Sequence, residues 1–485
     1  MKFKIKWFHA LALLLAMLFM AMASTAQTKP AATDTGKVFS LGDLQELVFR
    51  YHPVVKQAGL LSEAARANVL QSLGYFDPAL KASFGQKVFG NTDYYNNWNS
   101  ELKVPLWLAG ADLKVGYDRS VGTYTNPETR TPMTGLSGVG LSIPLGQGLI
   151  IDARRNTMRQ SKIMVQYAEA EQVKQINATW YEIAKDYWAW YYAYKQYQLT
   201  NEGVQLAQRR FDAVARQTII GDKPPIDSVE AYITVQERII QQAKSAIELQ
   251  NAGLILSNHL WSDEGNPMEL PVDARPQDNP ANMPRPNRLM LDSLVDRSNE
   301  HPELVKLRSK AGQLAIERLY RQEVLKPKLN ISGTLIAGRN SFNAQVPGYY
   351  DFNRDNYKFG VDFAFPLFLR SERGKLREVK LKQLDNEYDQ KQTGREIKNN
   401  ITAAYNDLTA YADQLTVQVQ SINNQQTLLT GETRKFELGE STLFLINSRE
   451  SKLIDMKIKR ESMVAGYQKT LAELYYKAGT RQPAL

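Results

Sequence analysis

The stretch from Asp355 to Gly439 constrains the fold more than any other, because it joins two patterns that rarely stand side by side. Its first part, DNYKFGVDFAFPLF, carries large apolar residues at every second position. This two-residue period predicts a strand with one apolar face and one polar face. The apolar residues, which we predict to face lipid, are Tyr357, Phe359, Val361, Phe363 and Phe365.

The second part of the stretch predicts a rod. From about Arg370 to Leu438 there is no proline, there are only three glycines, and nearly every turn is charged. These features predict one long helix with few breaks. At about 1.5 Å per residue it would span roughly 100 Å. A lipid-facing strand joined directly to such a rod predicts a β-barrel standing on a helical tube.

The N-terminus predicts a secretory signal peptide over residues 1–26. Lys2, Lys4 and Lys6 precede an apolar run, and small residues follow it. The alternative is a short N-terminal anchor helix, but the apolar run is short for a membrane span. Removing residues 1–26 removes three lysines and no acids, so the formal charge falls from +9 to +6. With no clustered basic patch interleaved with aromatics, nucleic acid is not an expected partner.

Cysteine usage and hydropathy narrow the class further. The chain has no cysteine, which excludes disulfides, thiolate metal sites and cysteine nucleophiles. No run of 18 apolar residues follows the signal peptide, so we expect no membrane helix. An exported protein of this kind is periplasmic, extracellular, or inserted in a membrane as a closed barrel.

The chain contains an internal duplication. His52-Pro53 is followed by Pro78, and His301-Pro302 is followed by Pro327; in both cases the second proline stands 25 positions after the first. Tyr187, Gln196 and Gly221 each recur 218 residues later, as Tyr405, Gln414 and Gly439. Shared order and spacing over this length indicate a repeat.

We therefore predict five segments. Residues 1–26 are the signal peptide, 38–260 the first repeat, 261–287 a proline-rich connector, 288–478 the second repeat and 479–485 a C-terminal tail. The connector holds six prolines between Pro267 and Pro286, which predicts a surface segment rather than a core element.

Each repeat predicts a helical hairpin that turns at a glycine, Gly221 or Gly439. After Gly221 an apolar residue recurs every seven positions, which predicts packing of helix against helix as a supercoil. These residues are Ile226, Ile233, Ile240, Ile247 and Leu254. The long helix before Gly221 is rich in tyrosine and tryptophan between Trp180 and Tyr197, and we expect these side chains to pack between helices.

Four strands are predicted, at about 79–89, 137–145, 328–337 and 356–367. The segment 101–122 has further β character that the sequence does not place. Polar loops are predicted at Gly90–Asn99 and Gly338–Asn356. Four strands cannot close a membrane barrel, and open edges are not tolerated in lipid. Copies of the chain must therefore pool their strands, and a trimer would supply twelve.

Aromatic residues near the predicted strand ends fit an interfacial girdle, or alternatively packing within loops. They are Tyr94, Tyr95, Trp98, Trp107, Tyr349, Tyr350 and Phe352.

The arrangement resembles the TolC-like outer-membrane efflux protein family. The resemblance rests on the duplicated helix–Pro–strand unit, on Pro144-Leu145 and Pro366-Leu367 at the strand ends, and on the turns at the two glycines; it covers residues 38–478. It implies an α+β membrane protein: a homotrimer with a twelve-stranded barrel, about four strands per chain, continued by a long antiparallel α-helical tunnel across the periplasm.

The resemblance also implies a function and partners. The chain would be the exit channel, in the bacterial outer membrane, of a tripartite efflux pump or a type I secretion system. It would passively conduct small molecules or secreted polypeptide to the exterior. Its partners would be a periplasmic membrane-fusion adaptor, an inner-membrane transporter (RND, ABC or similar) and outer-membrane lipid.

Site residues carry over from the family at the two turns. Adaptor docking maps to Ile220, Gly221, Asp222, Leu438, Gly439 and Glu440. The periplasmic gate maps to Asp227, Phe436, Ser441, Leu445 and Ser448. The best-known members use an aspartate ring and an Arg/Tyr latch. This chain has Leu445 and Ser448 at the aspartate positions, Ser441 at the arginine position and Phe436 at the tyrosine position. We therefore expect a more apolar gate near Leu445 in place of a cation-binding constriction.

No motif for catalysis or for a cofactor stands out, and the mature chain has three histidines, so we expect neither an enzyme nor a metal site. Two alternative functions remain open at this stage. One is a non-transport trimeric envelope scaffold or adhesin with a small barrel anchor. The other is a soluble periplasmic helical adaptor.

Overall fold

The computed structural model describes residues 37–280, 282–340, 349–350, 352 and 354–481. The predicted signal peptide and residues 482–485 of the predicted tail lie outside this range. The helices are α1 (Leu41–Tyr51), α2 (Pro53–Leu73), α3 (Ala153–Ile219), α4 (Pro225–Ser257), α5 (Arg288–Asp296), α6 (Pro302–Glu323), α7 (Arg370–Glu437) and α8 (Leu443–Lys477). Short 3-10 turns lie at Gly74–Phe76, Leu108–Gly110 and Arg297–Glu300. Within the described residues, no helix is both long enough and apolar enough to cross a bilayer.

The strands form one large antiparallel sheet and one small parallel pair. They are β1 (Val38–Phe39), β2 (Ala79–Phe89), β3 (Thr92–Pro105), β4 (Asp112–Val121), β5 (Leu136–Pro144), β6 (Arg275–Pro276), β7 (Lys328–Asn340), β8 (Tyr349–Tyr350) and β9 (Tyr357–Ala364). The large sheet runs in the order β2-β3-β4-β5-β7-β9, with β8 on the far end of β7. The pair β1–β6 is parallel.

The prediction of about four strands per chain is wrong. The described part of the chain contributes six long strands to the large sheet, because Thr92–Pro105 and Asp112–Val121 pair as β3 and β4. The predicted loop Gly90–Asn99 is a tight turn followed by the first half of β3. A count of twelve strands for three copies, which assumed four strands each, does not follow from this sheet. Most of the predicted loop Gly338–Asn356 lies outside the described residues.

The long helices pack side by side. In the half next to the sheet, the order is α2-α3-α6-α7, and in the distal half it is α4-α3-α8-α7. The predicted rod from Arg370 to Leu438 is confirmed as α7, which ends at Glu437. Its 68 residues span roughly 100 Å. Because α3 and α7 run through both halves, these two helices connect the sheet at one end to the distal turns at the other.

The main hydrophobic core lies at mid-height, where α3 carries its aromatic residues. Trp180, Tyr187, Trp188, Trp190 and Tyr191 are all buried there, as expected of packing groups. The duplicated tyrosines have matching roles: Tyr187 donates a hydrogen bond from Oη to the carbonyl of Phe39, and Tyr405 donates one to the carbonyl of Pro286, both at 3.0 Å.

The two His-Pro pairs each begin a helix. Nδ1 of His52 accepts the backbone N–H of Val54, and Nδ1 of His301 accepts that of Glu303, both at 3.2 Å. Proline follows at the first helical position, where its missing N–H costs nothing.

The connector is more than a surface segment. Met283 is buried in the main core, and the carbonyl of Pro284 accepts a hydrogen bond from Tyr467 at 2.8 Å. Residues 261–287 thus help to hold α7 and α8 against α3 at mid-height.

Candidate functional site at the distal turns

The two turns at the far end of the helices have the same backbone geometry. Gly221 and Gly439 adopt φ values of +82° and +80°. The N–H of the next residue reaches back five positions, from Asp222 to Gln217 at 2.9 Å and from Glu440 to Lys435 at 2.8 Å. This is the Schellman arrangement that satisfies the last carbonyls of a helix. Nothing lies within 4 Å of a Cβ added at either glycine, so conformation rather than space requires glycine here.

The returning helices begin with defined caps. At the first turn, Pro225 is the first helical residue of α4, and the backbone N–H of Asp227 donates to the carbonyl of Pro224 at 3.1 Å. At the second turn, the Thr442 hydroxyl accepts the N–H of Leu445 at 3.4 Å. The carboxylate of Asp227 lies in the first turn of α4, where the helix dipole favours negative charge.

A small apolar cluster joins the two turns within one chain. Val214, Ala231 and Leu443 are buried together, with Phe211 and Phe436 packed against them. Nζ of Lys223, from the first turn, lies 4.5 Å from the ring centroid of Phe436, from the second. At partly exposed sites such cation–π contacts contribute about 0.5–1 kcal/mol. The two turns therefore form one surface.

Polar side chains lock the helices together just behind the turns. Arg210 on α3 forms an ion pair with Glu450 on α8 and also donates to Oδ1 of Asn447 at 2.8 Å. Asn447 in turn donates to Thr234 on α4 at 3.2 Å. The amide of Gln425 on α7 donates to the carbonyl of Arg449 at 2.9 Å. All four helices of the distal half are thus cross-connected.

The end of this unit exposes large apolar side chains. Ile220 is 78%, Leu438 69% and Phe444 66% exposed, and Ile219 beside them is also exposed. Several such side chains together on a soluble surface mark an interaction site. The six predicted docking residues, Ile220, Gly221, Asp222, Leu438, Gly439 and Glu440, are all exposed on it.

The predicted gate residues have different environments. Leu445 and Ser448 are exposed on α8. Asp227 and Ser441 are half-buried, and the Ser441 hydroxyl donates to Glu432. Phe436 is half-buried in the cluster between the turns, so within one chain it joins the two turns.

The sequence reasoning missed Lys223, Arg210 and Glu450. Arg210 and Glu450 lie 240 positions apart and fall in different predicted repeats, so no local pattern pairs them. Lys223 stands directly before two prolines, a context that signals only a turn.

At the opposite end, the predicted lipid-facing side chains are exposed on one face of β9. This holds for Tyr357, Phe359, Val361 and Phe363; Phe365 is also exposed but lies one residue beyond the end of the strand. Within the described residues, no cluster of three or more His, Asp or Glu side chains is placed to hold a metal ion.

Comparison with known proteins shows which families and solved structures this chain is similar to. Residues 321–445 match the family model described as outer membrane efflux protein. No curated protein matched the sequence. The CmeC outer membrane channel of Campylobacter jejuni is similar over 94% of this chain and 91% of its own, with a TM-score of 0.60 and 12% identity.

Two further solved structures agree. VceC of Vibrio cholerae is similar over 91% of this chain and 96% of its own, with a TM-score of 0.61 and 14% identity. The open state of the MtrE outer membrane channel of Neisseria gonorrhoeae is similar over 94% and 96%, with a TM-score of 0.62 and 14% identity. None of these matches indicates a catalytic family. The family match over residues 321–445 and the fold shared along the chain confirm the resemblance to the TolC-like outer-membrane efflux proteins and agree with the predicted outer-membrane location.

Proposed function

We propose that this chain is the outer-membrane exit channel of a tripartite efflux pump or type I secretion system. Three copies share one barrel wall in the outer membrane and one helical tube in the periplasm. Solutes pass through the common lumen without chemical change. The observation that carries this proposal is the large sheet, which has an apolar face, has two edges that no described strand pairs with, and stands on rods of roughly 100 Å.

The sheet supports the sharing of a wall. Within the described residues, β2 pairs only with β3, and β9 only with β7, so each has a free edge. Backbone groups without partners are costly in lipid. Pairing β2 of one copy with β9 of the next satisfies both edges, and a ring closed in this way leaves none.

The helices support a tube built from the same copies. In the distal half, α4 and α7 lie at opposite sides of the four-helix array. The seven-residue stripe on α4, centred on Ile240, is exposed in one chain. The outer face of α7 presents an exposed row of mostly small residues at the same spacing: Ala403, Ala410, Val417, Asn424 and Gly431. Large side chains on one helix and small ones on the other suit close packing between neighbouring copies.

The distal turns supply the partner surface and the gate. The apolar surface formed by Ile219, Ile220, Leu438 and Phe444 suits the tip of a periplasmic membrane-fusion adaptor. That adaptor links the channel to an inner-membrane transporter. Leu445 and Ser448, exposed on α8 behind this surface, form an uncharged constriction when three copies meet, which is more apolar than an aspartate ring.

Planar-bilayer recording of the purified protein tests the channel and its gate. We expect discrete conducting and closed levels, and Leu445→Ala should raise the closed level. Leu428→Ala, an exposed leucine on α7, is the matched control and should leave it unchanged. An unchanged closed level in Leu445→Ala would contradict the proposed gate, and the absence of any conducting level would contradict the proposed channel.

Labelling of intact cells separates the channel from an envelope scaffold or adhesin. The chain has no cysteine, so a single cysteine at Glu440 is a clean reporter. For a periplasmic tube, an impermeant maleimide added outside should label Glu440→Cys only after the outer membrane is permeabilised. Labelling on intact cells would place the rods outside and favour the adhesin.

A further inference from the structure

The hairpin β3–β4 is a part of the sheet that the sequence did not place, and the structure shows it paired with a neighbouring strand on each side. Eleven residue pairs join β2 to β3, ten join β3 to β4 and seven join β4 to β5. The sheet continues through β7 to β9 without a break. The hairpin therefore lies within the sheet, between β2 and β5.

One apolar row crosses all six strands. The register aligns Leu80, Leu102, Val115, Val139, Leu335 and Tyr357 as successive cross-strand neighbours. All six side chains are exposed, at 37% to 74% of their surface. The row through β3 and β4 is thus continuous with the predicted lipid-facing side of β9.

On the opposite face the neighbouring row is polar or glycine from β3 to β9, and β2 contributes Ala79 to it. The next row aligns Lys103, Lys114, Gly140, Thr334 and Lys358. Nζ of Lys103 lies 2.9 Å from Asp112, and Nζ of Lys114 lies 3.6 Å from Glu101, so the charges on this face are partly paired across strands. A hairpin folded into the lumen as a plug would meet water on both faces, whereas β3 and β4 alternate as a barrel wall does.

The turn between β3 and β4 reaches the helical end of the sheet. Arg154 in the first turn of α3 donates from Nη2 to the carbonyl of Gly110 at 3.0 Å and from Nη1 to Asp112 at 2.8 Å. The ring centroids of Trp107 and Phe76 lie 5.2 Å apart. The hairpin is therefore anchored where the rods begin and runs outward from there, as the other strands do.

From this continuity we propose that β3 and β4 are wall strands, so that three copies close a barrel of eighteen strands. The inference rests on the proposed trimeric channel, and it specifies the diameter of the barrel part of that channel. With a strand spacing of about 4.8 Å and a tilt of about 40°, eighteen strands give a wall roughly 36 Å across, against roughly 24 Å for twelve.

The helical tube has a matching width. Next to the sheet each chain contributes α2, α3, α6 and α7, so three copies contribute twelve helices. At an interaxial distance of 8–10 Å, twelve helices form a ring roughly 31–38 Å across. The wider barrel therefore continues the tube without a narrowing, and the cargo it suits is larger than a twelve-stranded wall would pass.

Site-directed fluorescence in liposomes tests the proposal. Single cysteines at Val115 and Lys114 in β4, and at Val361 and Lys358 in β9, carry the same bimane probe. The probe at Val115 should be quenched by nitroxide lipids as strongly as the probe at Val361. The probes at Lys114 and Lys358 should instead be quenched by a water-soluble nitroxide.

The four sites separate two kinds of failure. Quenching by nitroxide lipids at Val361 but not at Val115 would show that β3 and β4 do not face lipid. That result would overturn the eighteen-stranded barrel but would leave the proposed membrane barrel standing. Lack of lipid quenching at both sites would overturn the proposed membrane barrel itself. Cryo-electron microscopy of the same preparation should then count six wall strands per copy; four would overturn the inference.

Discussion

The ion pair between Arg210 and Glu450 gives the sharpest prediction about the distal turns. Glu450 is 4% exposed, and the Arg210 guanidinium holds its carboxylate while also binding Asn447. Removing one partner of a buried pair typically costs 3–5 kcal/mol, because the remaining charge is left without compensation. The side chain of Arg210 is 22% exposed, so water relieves part of this cost, and we expect about 2–3 kcal/mol for Arg210→Met.

Hydrogen exchange measures this cost where it acts. The amides in the first three turns of α8 should exchange roughly 30- to 150-fold faster in Arg210→Met, since each 1.4 kcal/mol is a factor of ten. Amides at mid-height should be unaffected. The matched control is Asp278→Asn, which breaks the pair of Lys195 with an exposed carboxylate and should change exchange less than about fivefold. Equal exchange in Arg210→Met and the wild-type protein would refute the assignment of Arg210–Glu450 as the lock between α3 and α8.

Three further predictions concern the turn, the helix stripe and the histidine caps. Gly439→Ala should destabilise the second turn by about 1 kcal/mol or more because φ is +80°, whereas Gly394→Ala, inside α7 with open space around it, should be neutral or stabilising; equal effects on thermal unfolding would contradict this. Ile240→Asn should weaken the proposed trimer by about 2 kcal/mol per contact, because a side chain 70% exposed in one chain would lose its burial between copies, and unchanged dissociation in sedimentation velocity would argue against that contact. Burial lowers the pKa of both His52 and His301 below 6.5, and the charge of His259 lowers the pKa of His52 further. The stability of the folded protein should therefore be full above pH 6.5 and fall as pH drops through the folded pKa. His301→Asn should lessen this fall, and a pH profile of stability identical to that of the wild-type protein would count against the cap.

The helices were predictable from the sequence because their signals are local. Ser40 begins α1 with a capping box to Asp43, His52 and His301 begin their helices beside proline, and the glycines at 221 and 439 end theirs. The rod from Arg370 onward needed only the absence of breakers over a long stretch.

The strand count was not predictable in the same way. The segment TDYYNNWNSELKVP of β3 contains aspartate and several asparagines, which are depleted in strands, and so it suggested a loop. It is a strand because β2 and β4 pair with both of its edges. Neither neighbour is visible in a local window.

The candidate site was predictable only in its outline. The turn glycines and their exposed neighbours follow from the repeat and the family resemblance. The contacts that make the two turns one surface, Lys223 on Phe436 and Arg210 on Glu450, join residues more than 200 positions apart. Such contacts depend on how α3, α7 and α8 pack, which the sequence pattern does not specify.

Native mass spectrometry of the detergent-solubilised protein tests most directly whether copies of the chain pair their sheet edges with one another. The account predicts a single dominant species of three polypeptides that resists dilution. A folded species of one polypeptide, stable in the same detergent with its sheet edges unpaired, would contradict it.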